Sequence, residues 1–284
     1  MPVNIKEDIL NRNFEEIKVT YELEKELARK LKAASKEERI GSNLYSTAYD
    51  DFFSQIPLPL KAKNNPKITA GVVARWMKAL NFFLYPNATF LELGAGECGL
   101  SLEVAKSVKK VYALDVSNEA TKELTVPDNF ELVLTEGITV PLPSNSIDIA
   151  YSHQMMEHIH PDDALEQLQN IYQTLSPGGI YICITPNRLS GPYDTSMFFD
   201  EIATGWHLKE YTVCELYNLF RKAGFSKVSY FKIRNGSNIE ISLNIFTVPL
   251  LKFLESSIEK LPFSFRRKLA LRLLFRGITI VGTK

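Results

Sequence analysis

Cysteine is scarce: the 284-residue chain has three, Cys98, Cys183 and Cys214, far apart and odd in number. That excludes a disulfide framework and a cysteine-rich metal site, and leaves buried thiols as the expected role. Net charge is missing too. Lys+Arg and Asp+Glu stand at 33 each, so the composition provides no broad basic footprint for nucleic acid. No apolar run reaches the ~18 residues of a membrane-spanning helix, and the opening Met-Pro-Val-Asn-Ile-Lys-Glu-Asp lacks a secretory core. Export is therefore not expected, and a cytoplasmic location is. Histidine numbers only four, and three of them, His153, His158 and His160, share one short stretch. Their spacing is not the i, i+4 of one helix face and no thiolate is near, so no metal site is expected. What the chain does have is 45% hydrophobic residues, too many for disorder and enough, at this length, for a sizeable core.

The stretch that organises the rest is Phe90 to Gly99, Phe-Leu-Glu-Leu-Gly-Ala-Gly-Glu-Cys-Gly. Apolar Ala88 to Leu93 predicts a strand, the glycines a tight turn, and amphipathic Leu100 to Val108 a helix. Gly94 and Gly96 let the backbone turn sharply and a ligand lie against bare main chain, while the helix points its unpaired N–H groups at the same place. The spacing Gly94, Gly96, Gly99 matches the dinucleotide fingerprint, with Asp115 at about the expected ~20 residues beyond it. The glycines alone thus leave an NAD-dependent oxidoreductase open. Glu92, two residues before the first glycine, points elsewhere, because a carboxylate there suits a cationic amine better than a pyrophosphate. Almost ninety residues of other sequence also precede the unit. Lys110 to Asp115 reads as the second strand, one crossover helix away. Its terminal carboxylate has two readings, acceptor for both ribose hydroxyls or cap of a helix from Ser117.

Upstream, Asn13 to Ala34 has apolar residues at helical spacing, Leu44 to Gln55 is dense in aromatics (Tyr45, Tyr49, Phe52, Phe53) before the break at Ile56-Pro-Leu-Pro, and a turn at Asn64-Asn-Pro-Lys precedes a helix over Ile68 to Leu84. Downstream, strands are predicted at Phe130 to Leu134, from Asp148 to Ser152 and His153, after Ser176-Pro-Gly-Gly, at Lys227 to Ile233, and at Gly277 to Lys284. Helices follow Pro161 and Thr212. The long loop from Leu189 to Trp206 lies on the ligand side of such a sheet, where substrate usually binds.

Glu92-Leu-Gly-Ala-Gly resembles the first motif of class I S-adenosylmethionine-dependent methyltransferases, in which the acid and the glycines lie against the methionine portion of the cofactor. The run from Thr135 through Leu-Pro-Ser-Asn-Ser-Ile-Asp to Ser152 resembles the adenine loop and fourth strand of the small-molecule members. The acid-His pair Glu157-His158 and the Leu-Ser-Pro-Gly-Gly turn continue the likeness. It implies a Rossmann-like α/β fold with a mostly parallel seven-stranded sheet and an antiparallel last strand. The expected organisation is an N-terminal helical cap (1–87), a methyltransferase domain (88–284) and, within it, a helical insertion (235–275) before the last strand. The implied cofactor is S-adenosylmethionine, held by Glu92, Gly94, Ala95, Gly96, Asp115, Val116, Glu136, Gly137 and Ser152. Tyr45 or Tyr49 of the N-terminal segment could line the same pocket, with core packing as the other reading. The implied reaction is methyl transfer to a small molecule, such as a sugar or secondary-metabolite hydroxyl. A hydroxyl acceptor needs a proton acceptor, and His158, His153 and His207 are the candidates, His158 preferred. Relatives often place their third glycine one residue before Gly99, where this chain has Cys98. A sensor or scaffold that only binds S-adenosylmethionine would carry the same motifs.

From Lys252 to the end the chain holds eight Lys or Arg and two Glu, 8 − 2 = +6. The basic, apolar insertion has three readings: a helical lid on the domain edge, a homodimer surface, or a peripheral dock on an anionic membrane through residues 250–276.

Overall fold

The computed structural model describes residues 13–55, 66–117, 125–234, 237–273 and 275–284. Among the described residues, the N-terminal segment forms four helices. In α1 (Phe14–Ala33), Asn13 accepts from Glu16 N–H while Glu16 reaches back to Asn13 N–H, a capping box that fixes the start. The same device at Ser35 and Glu38 nucleates the short α2 (Lys36–Gly41), which the sequence reading passed over. Then follow α3 (Leu44–Gln55) and α4 (Pro66–Leu80), the latter ending earlier than its periodicity predicted. The break at Ile56-Pro-Leu-Pro, the start of the Asn64-Asn-Pro-Lys turn and the body of the helix expected after Ser117 lie outside the described residues.

The sheet strands are β1 (Thr89–Leu93), β2 (Lys110–Asp115), β3 (Phe130–Leu134), β4 (Ile147–His153), β5 (Leu175–Pro186), β6 (Lys227–Arg234), β7 (Ser237–Ser242) and β8 (Gly277–Thr283). Between them run α5 (Gly99–Val104), α6 (Ala164–Thr174), α7 (Val213–Ala223), α8 (Thr247–Glu259) and α9 (Phe263–Arg272). The strand order is β3-β2-β1-β4-β5-β8-β6-β7. The first five are mutually parallel, whereas β8 is antiparallel to both β5 and β6. The Rossmann-like expectation thus holds, reversed last strand included.

The strand count differs: the sheet has eight strands, because the first residues of the insertion form β7 at the edge against β6. Asn-Ile-Glu-Ile-Ser (238–242) alternates polar and apolar with period two, a strand signal, though Ile239 and Ile241 both stay exposed at this edge. Reading residues 235–275 as wholly helical missed it.

Apolar side chains fill both faces of the sheet. Leu91, Leu93 and Ala150 face α6 and α7, while Phe90, Val111, Ala113 and Tyr151 face α4 and α5. The order reverses between β1 and β4, and in open parallel sheets the ligand crevice lies outside the C-terminal ends of the strands at that point.

Candidate active site

At this crevice β1 leaves the sheet through the glycine turn. The N–H groups of Gly94 and Ala95 both donate to the Leu114 carbonyl (2.8 and 3.2 Å), which lays the turn across the end of β2. Gly94 has φ +69°, and a Cβ there would meet Met155 Cγ at 3.2 Å. Cys98, buried at the head of α5, has φ +57°, so the left-handed position that a third glycine would fill is held by a cysteine, at a cost of about 1–2 kcal/mol.

Two buried acids flank the turn. Asp115 accepts from Gly96 N–H (2.7 Å) with one oxygen and from Val116 and Ser117 N–H (2.7 and 3.2 Å) with the other. Burial pushes its carboxyl up against the pull of those main-chain donors. A carboxylate has about four acceptor positions, so three main-chain bonds orient it and still leave capacity for a hydroxyl. Glu92 accepts from Ser101 Oγ–H (2.5 Å) in the first turn of α5, and burial, with Asp115 nearby, pushes it up to about 7.

Helix α3 makes contacts on both sides of the crevice. Ser46 Oγ–H donates to the Val116 carbonyl (2.9 Å), beside Asp115. Tyr49 lies close enough to Asp115 that burial and that negative charge both push its phenol up. Phe52 stacks on Trp206 (ring centroids 5.1 Å), and Trp206 lies 6.0 Å from the His158 ring. Tyr45 has a different task from its neighbour. Its ring covers Gly137, whose φ of +109° leaves no room for a Cβ, while its hydroxyl donates to Asp163 Oδ2 (2.7 Å) and accepts from His160 N–H (3.0 Å). Asp163 in turn takes both arms of Arg39 (2.7 and 2.8 Å) in a buried ion pair.

Two other candidates are occupied locally. The Glu136 carboxylate accepts from Thr139 N–H (2.8 Å) and from the Thr135 and Thr139 hydroxyls, closing its own loop. Ser152 is fully buried and shares a hydrogen bond with the Tyr181 hydroxyl (2.8 Å).

The three histidines neighbouring in sequence do not converge. His153 lies against Trp76 (4.6 Å), and burial pushes it down to about 4. His160 N–H and Nδ1 serve Tyr45 and the Asp162 N–H. His158 instead meets His207, edge to face at 5.0 Å. His158 Nδ1–H donates to the Trp206 carbonyl (3.1 Å) and His207 Nδ1–H to Glu210 Oε1 (2.8 Å). Burial lowers the His207 basicity, but Glu210, Glu157 and Asp194 overcome it and raise the ring to about 9. Glu157 is fully buried. Its Oε2 accepts from Thr185 Oγ–H (2.9 Å), its Oε1 has no hydrogen-bond partner, and burial pushes it up to about 7.

Sequence reasoning missed Glu157, Glu210, Trp206, Met155 and Phe52 as site residues. Three of them are legible in hindsight: Glu157 and Trp206 adjoin candidate histidines, and Glu210 stands at i+3 from His207. The loop after β5 is largely buried under α1, with Tyr21 stacked on Phe199 (4.4 Å) and Glu24 accepting from Thr195 Oγ–H (2.7 Å), and its last residue, Trp206, lies against His158.

Residues 91–183, from β1 through most of β5, match the methyltransferase domain family. The chain carries a methyltransferase domain. A curated protein of Mycolicibacterium smegmatis, described as a probable S-adenosylmethionine-dependent methyltransferase, is 27% identical over 151 residues. That match covers 52% of this chain and 56% of the relative, so the chain spans a little over half of the relative's length. Solved structures share the fold of the methyltransferase domain at lower identity. The Burkholderia thailandensis 1,6-didemethyltoxoflavin-N1-methyltransferase, solved with bound 1,6-didemethyltoxoflavin and S-adenosylhomocysteine, has a TM-score of 0.53 at 15% identity and covers 88% of this chain and 91% of its own. An S-adenosylmethionine-dependent methyltransferase from Mesorhizobium loti has a TM-score of 0.51 at 13% identity, covering 76% and 100%. The family match removes the oxidoreductase reading left open by the glycine spacing. Among the described residues, no helix is long and apolar enough to cross a membrane.

Proposed function

We propose that this chain transfers the sulfonium methyl group of S-adenosylmethionine to a hydroxyl of a small molecule, of the sugar or secondary-metabolite kind. The observation that carries the reading is the cover that α3 gives the crevice: Tyr49 lies beside Asp115, and Phe52 stacks on Trp206, which neighbours His158. A crevice covered in this way admits a small acceptor more readily than a macromolecular one. The Burkholderia neighbour, whose acceptor is a small heterocycle, has the same fold. In this reading Gly94, Ala95, Gly96 and Glu92 face the methionine end, Asp115 and Val116 the ribose, and Glu136 and Gly137 the adenine. The cofactor already carries a good leaving group, so the protein's part is alignment and exclusion of water.

The acceptor's proton is handled at His158. His207 is held protonated and His153 is a weak base, whereas the Nδ1–H of His158, fixed on the Trp206 carbonyl, makes Nε2 its acceptor nitrogen. His158→Ala should lose at least 100-fold in turnover and keep its affinity for S-adenosylhomocysteine; unchanged turnover would remove His158 from the mechanism. Calorimetry with S-adenosylhomocysteine and with NAD tests the cofactor, and binding without transfer to any of a panel of acceptors would favour a sensor. If the methionine ammonium sits near Glu92, its charge lowers that carboxyl from about 7, and binding at pH 6.5 releases a proton. Titration in buffers of different ionisation enthalpy measures that proton, and its absence would place the ammonium elsewhere.

The insertion supports a location for this activity at an anionic membrane surface, near a lipid-linked acceptor. Phe246, Phe253 and Phe265 are 79%, 69% and 67% exposed, with Leu250, Leu254, Leu269 and Leu273 also exposed among Lys252, Lys268 and Arg272. Such a mixture suits the headgroup boundary. Sedimentation with anionic and neutral vesicles at low salt tests it; self-association without lipid-dependent binding would instead favour a homodimer surface.

A further inference from the structure

We propose that Glu157, His158 and His207 form a binding site for a divalent cation of the zinc, cobalt or iron(II) class. One ligand atom from each residue lies within 4.8 Å of the others, and His207 Nε2 is 4.0 Å from Glu157 Oε1. Metal bonds of ~2.0–2.2 Å place neighbouring tetrahedral ligands roughly 3.3–3.5 Å apart, so the Glu157–His207 pair needs to close by roughly half an ångström and no pair by more than about 1.5 Å. Three further features separate this cluster from a chance gathering.

The first is Glu157 Oε1 itself, a wholly buried carboxylate oxygen with no hydrogen-bond partner. Such an atom is costly unless a cation or donor answers it, and it faces the His207 nitrogen that Glu210 does not hold. The second is the set of supports behind the ligands. His158 Nδ1–H is held by the Trp206 carbonyl, His207 Nδ1–H by Glu210, and Glu157 Oε2 by Thr185 Oγ–H. The His158 ring is thereby set in the tautomer whose Nε2 carries a lone pair, and the His207 ring is oriented with Nε2 toward Glu157, where a bound cation takes the place of its Nε2 proton; ligating histidines are oriented by such supports in metal proteins. The third is placement. Glu157 and His158 sit in the turn after β4, whose residue Met155 touches Gly94 of the glycine turn. Two imidazoles and one carboxylate favour zinc, cobalt or iron(II) over magnesium. Three protein ligands also leave a position open for a substrate oxygen.

The functional consequence rests on the methyl-transfer reading and deepens it. A hydroxyl acceptor bound at the open position becomes acidic enough to release its proton to solvent at neutral pH. Its oxygen then bonds to the methyl carbon as the S–CH3 bond breaks, and the bonding pair leaves on sulfur as the neutral thioether. With the cation bound this replaces proton transfer to His158 Nε2, and His158 acts by holding the cation.

The test uses the full chain without a histidine tag, stripped with chelator and titrated with Co²⁺. We expect one equivalent to bind with visible bands of a four- or five-coordinate site, displaced by Zn²⁺ and not by Mg²⁺. Glu157→Gln and His207→Asn should weaken Co²⁺ binding by more than 100-fold, and Glu210→Gln, behind the ligand, by about 10–100-fold. S-Adenosylhomocysteine calorimetry on each variant reports folding and, separately, whether the cofactor reading stands. Octahedral or absent bands in the wild-type protein, or equal binding by wild type and Glu157→Gln, would overturn the site while leaving the methyltransferase reading untouched.

Discussion

The helices before the sheet and those inserted before its last strand are both amphipathic in sequence, yet the fold uses them in opposite ways. The N-terminal set turns its best side chains inward: Ile17, Tyr21, Leu27 and Leu31 are buried, and so are the polar Glu24 and Arg39, each with a partner on another element. The insertion turns inward chiefly Ile258, Phe263, Ala270 and the carboxylate of Glu255, which accepts from the first N–H groups of α7 (2.8 and 3.2 Å). That anchor is polar, an anion on a helix N-terminus, and most of the large apolar side chains of α8 and α9 are left outside. Amphipathicity therefore tells that a helix has a partner without telling whether the partner is its own core. What separates the two cases is where the specific polar contacts fall. The cap is fastened by polar contacts to the loops around the active site, and the insertion by Glu255 on the N-terminus of α7, by Glu259 on Arg188 and by Arg266 on the Glu201 carbonyl.

The harshest way to break this contrast is Arg39→Ala. It strands Asp163, which burial pushes up but whose bonds from Arg39 and Tyr45 hold it below the usual carboxylate range. Removing one partner of a buried pair costs about 3–5 kcal/mol. Chemical denaturation should show a loss of that order, with weaker S-adenosylhomocysteine binding because α3 loses its seat. A loss under 1 kcal/mol would mean that the cap is not fastened there.

A milder probe is pH. Glu24 of α1 is pushed up to about 7, first by burial and then by Asp194, from an ordinary value of 4.5. The folded protein therefore holds that proton more tightly than the unfolded chain. Its contribution to stability is complete below about pH 4.5 and is lost as pH rises through about 7, a change of up to about 3 kcal/mol. Glu24→Gln should flatten the slope of stability between pH 5 and 8, read by denaturation across that range. A slope identical to wild type would show that the cap does not carry it.

Much of this was legible beforehand because it rests on short-range rules. The turn at Gly94 and Gly96, the strand ending at Asp115 and the amphipathic helix from Asn13 each follow from nearby residues. Strand β7 was missed for want of length: five residues alternating at a sheet edge are outweighed by the helical pattern after them. The pairing of His158 with His207 was invisible for another reason. It is made by the crossing of two loops, and only the fold decides that Trp206 offers its carbonyl to one histidine while Glu210 holds the other. The insertion's hydropathy was read correctly, and its direction was not in the sequence at all.

The smallest effect on stability is also the sharpest test of the comparison. Phe253 and Phe265 project from α8 and α9 with most of their surface in solvent, so replacing both with Ser removes little packing and should change folding stability by no more than about 0.5 kcal/mol each. If those rings enter a lipid boundary, each contributes about 1.5–3 kcal/mol of apolar burial there, and their loss should weaken binding to anionic vesicles by roughly tenfold or more per ring. The same pair of changes would thus be silent in denaturation and loud in sedimentation, the reverse of Arg39→Ala. A large stability loss would mean that the insertion packs its apolar face on the protein after all, and would make it a second cap.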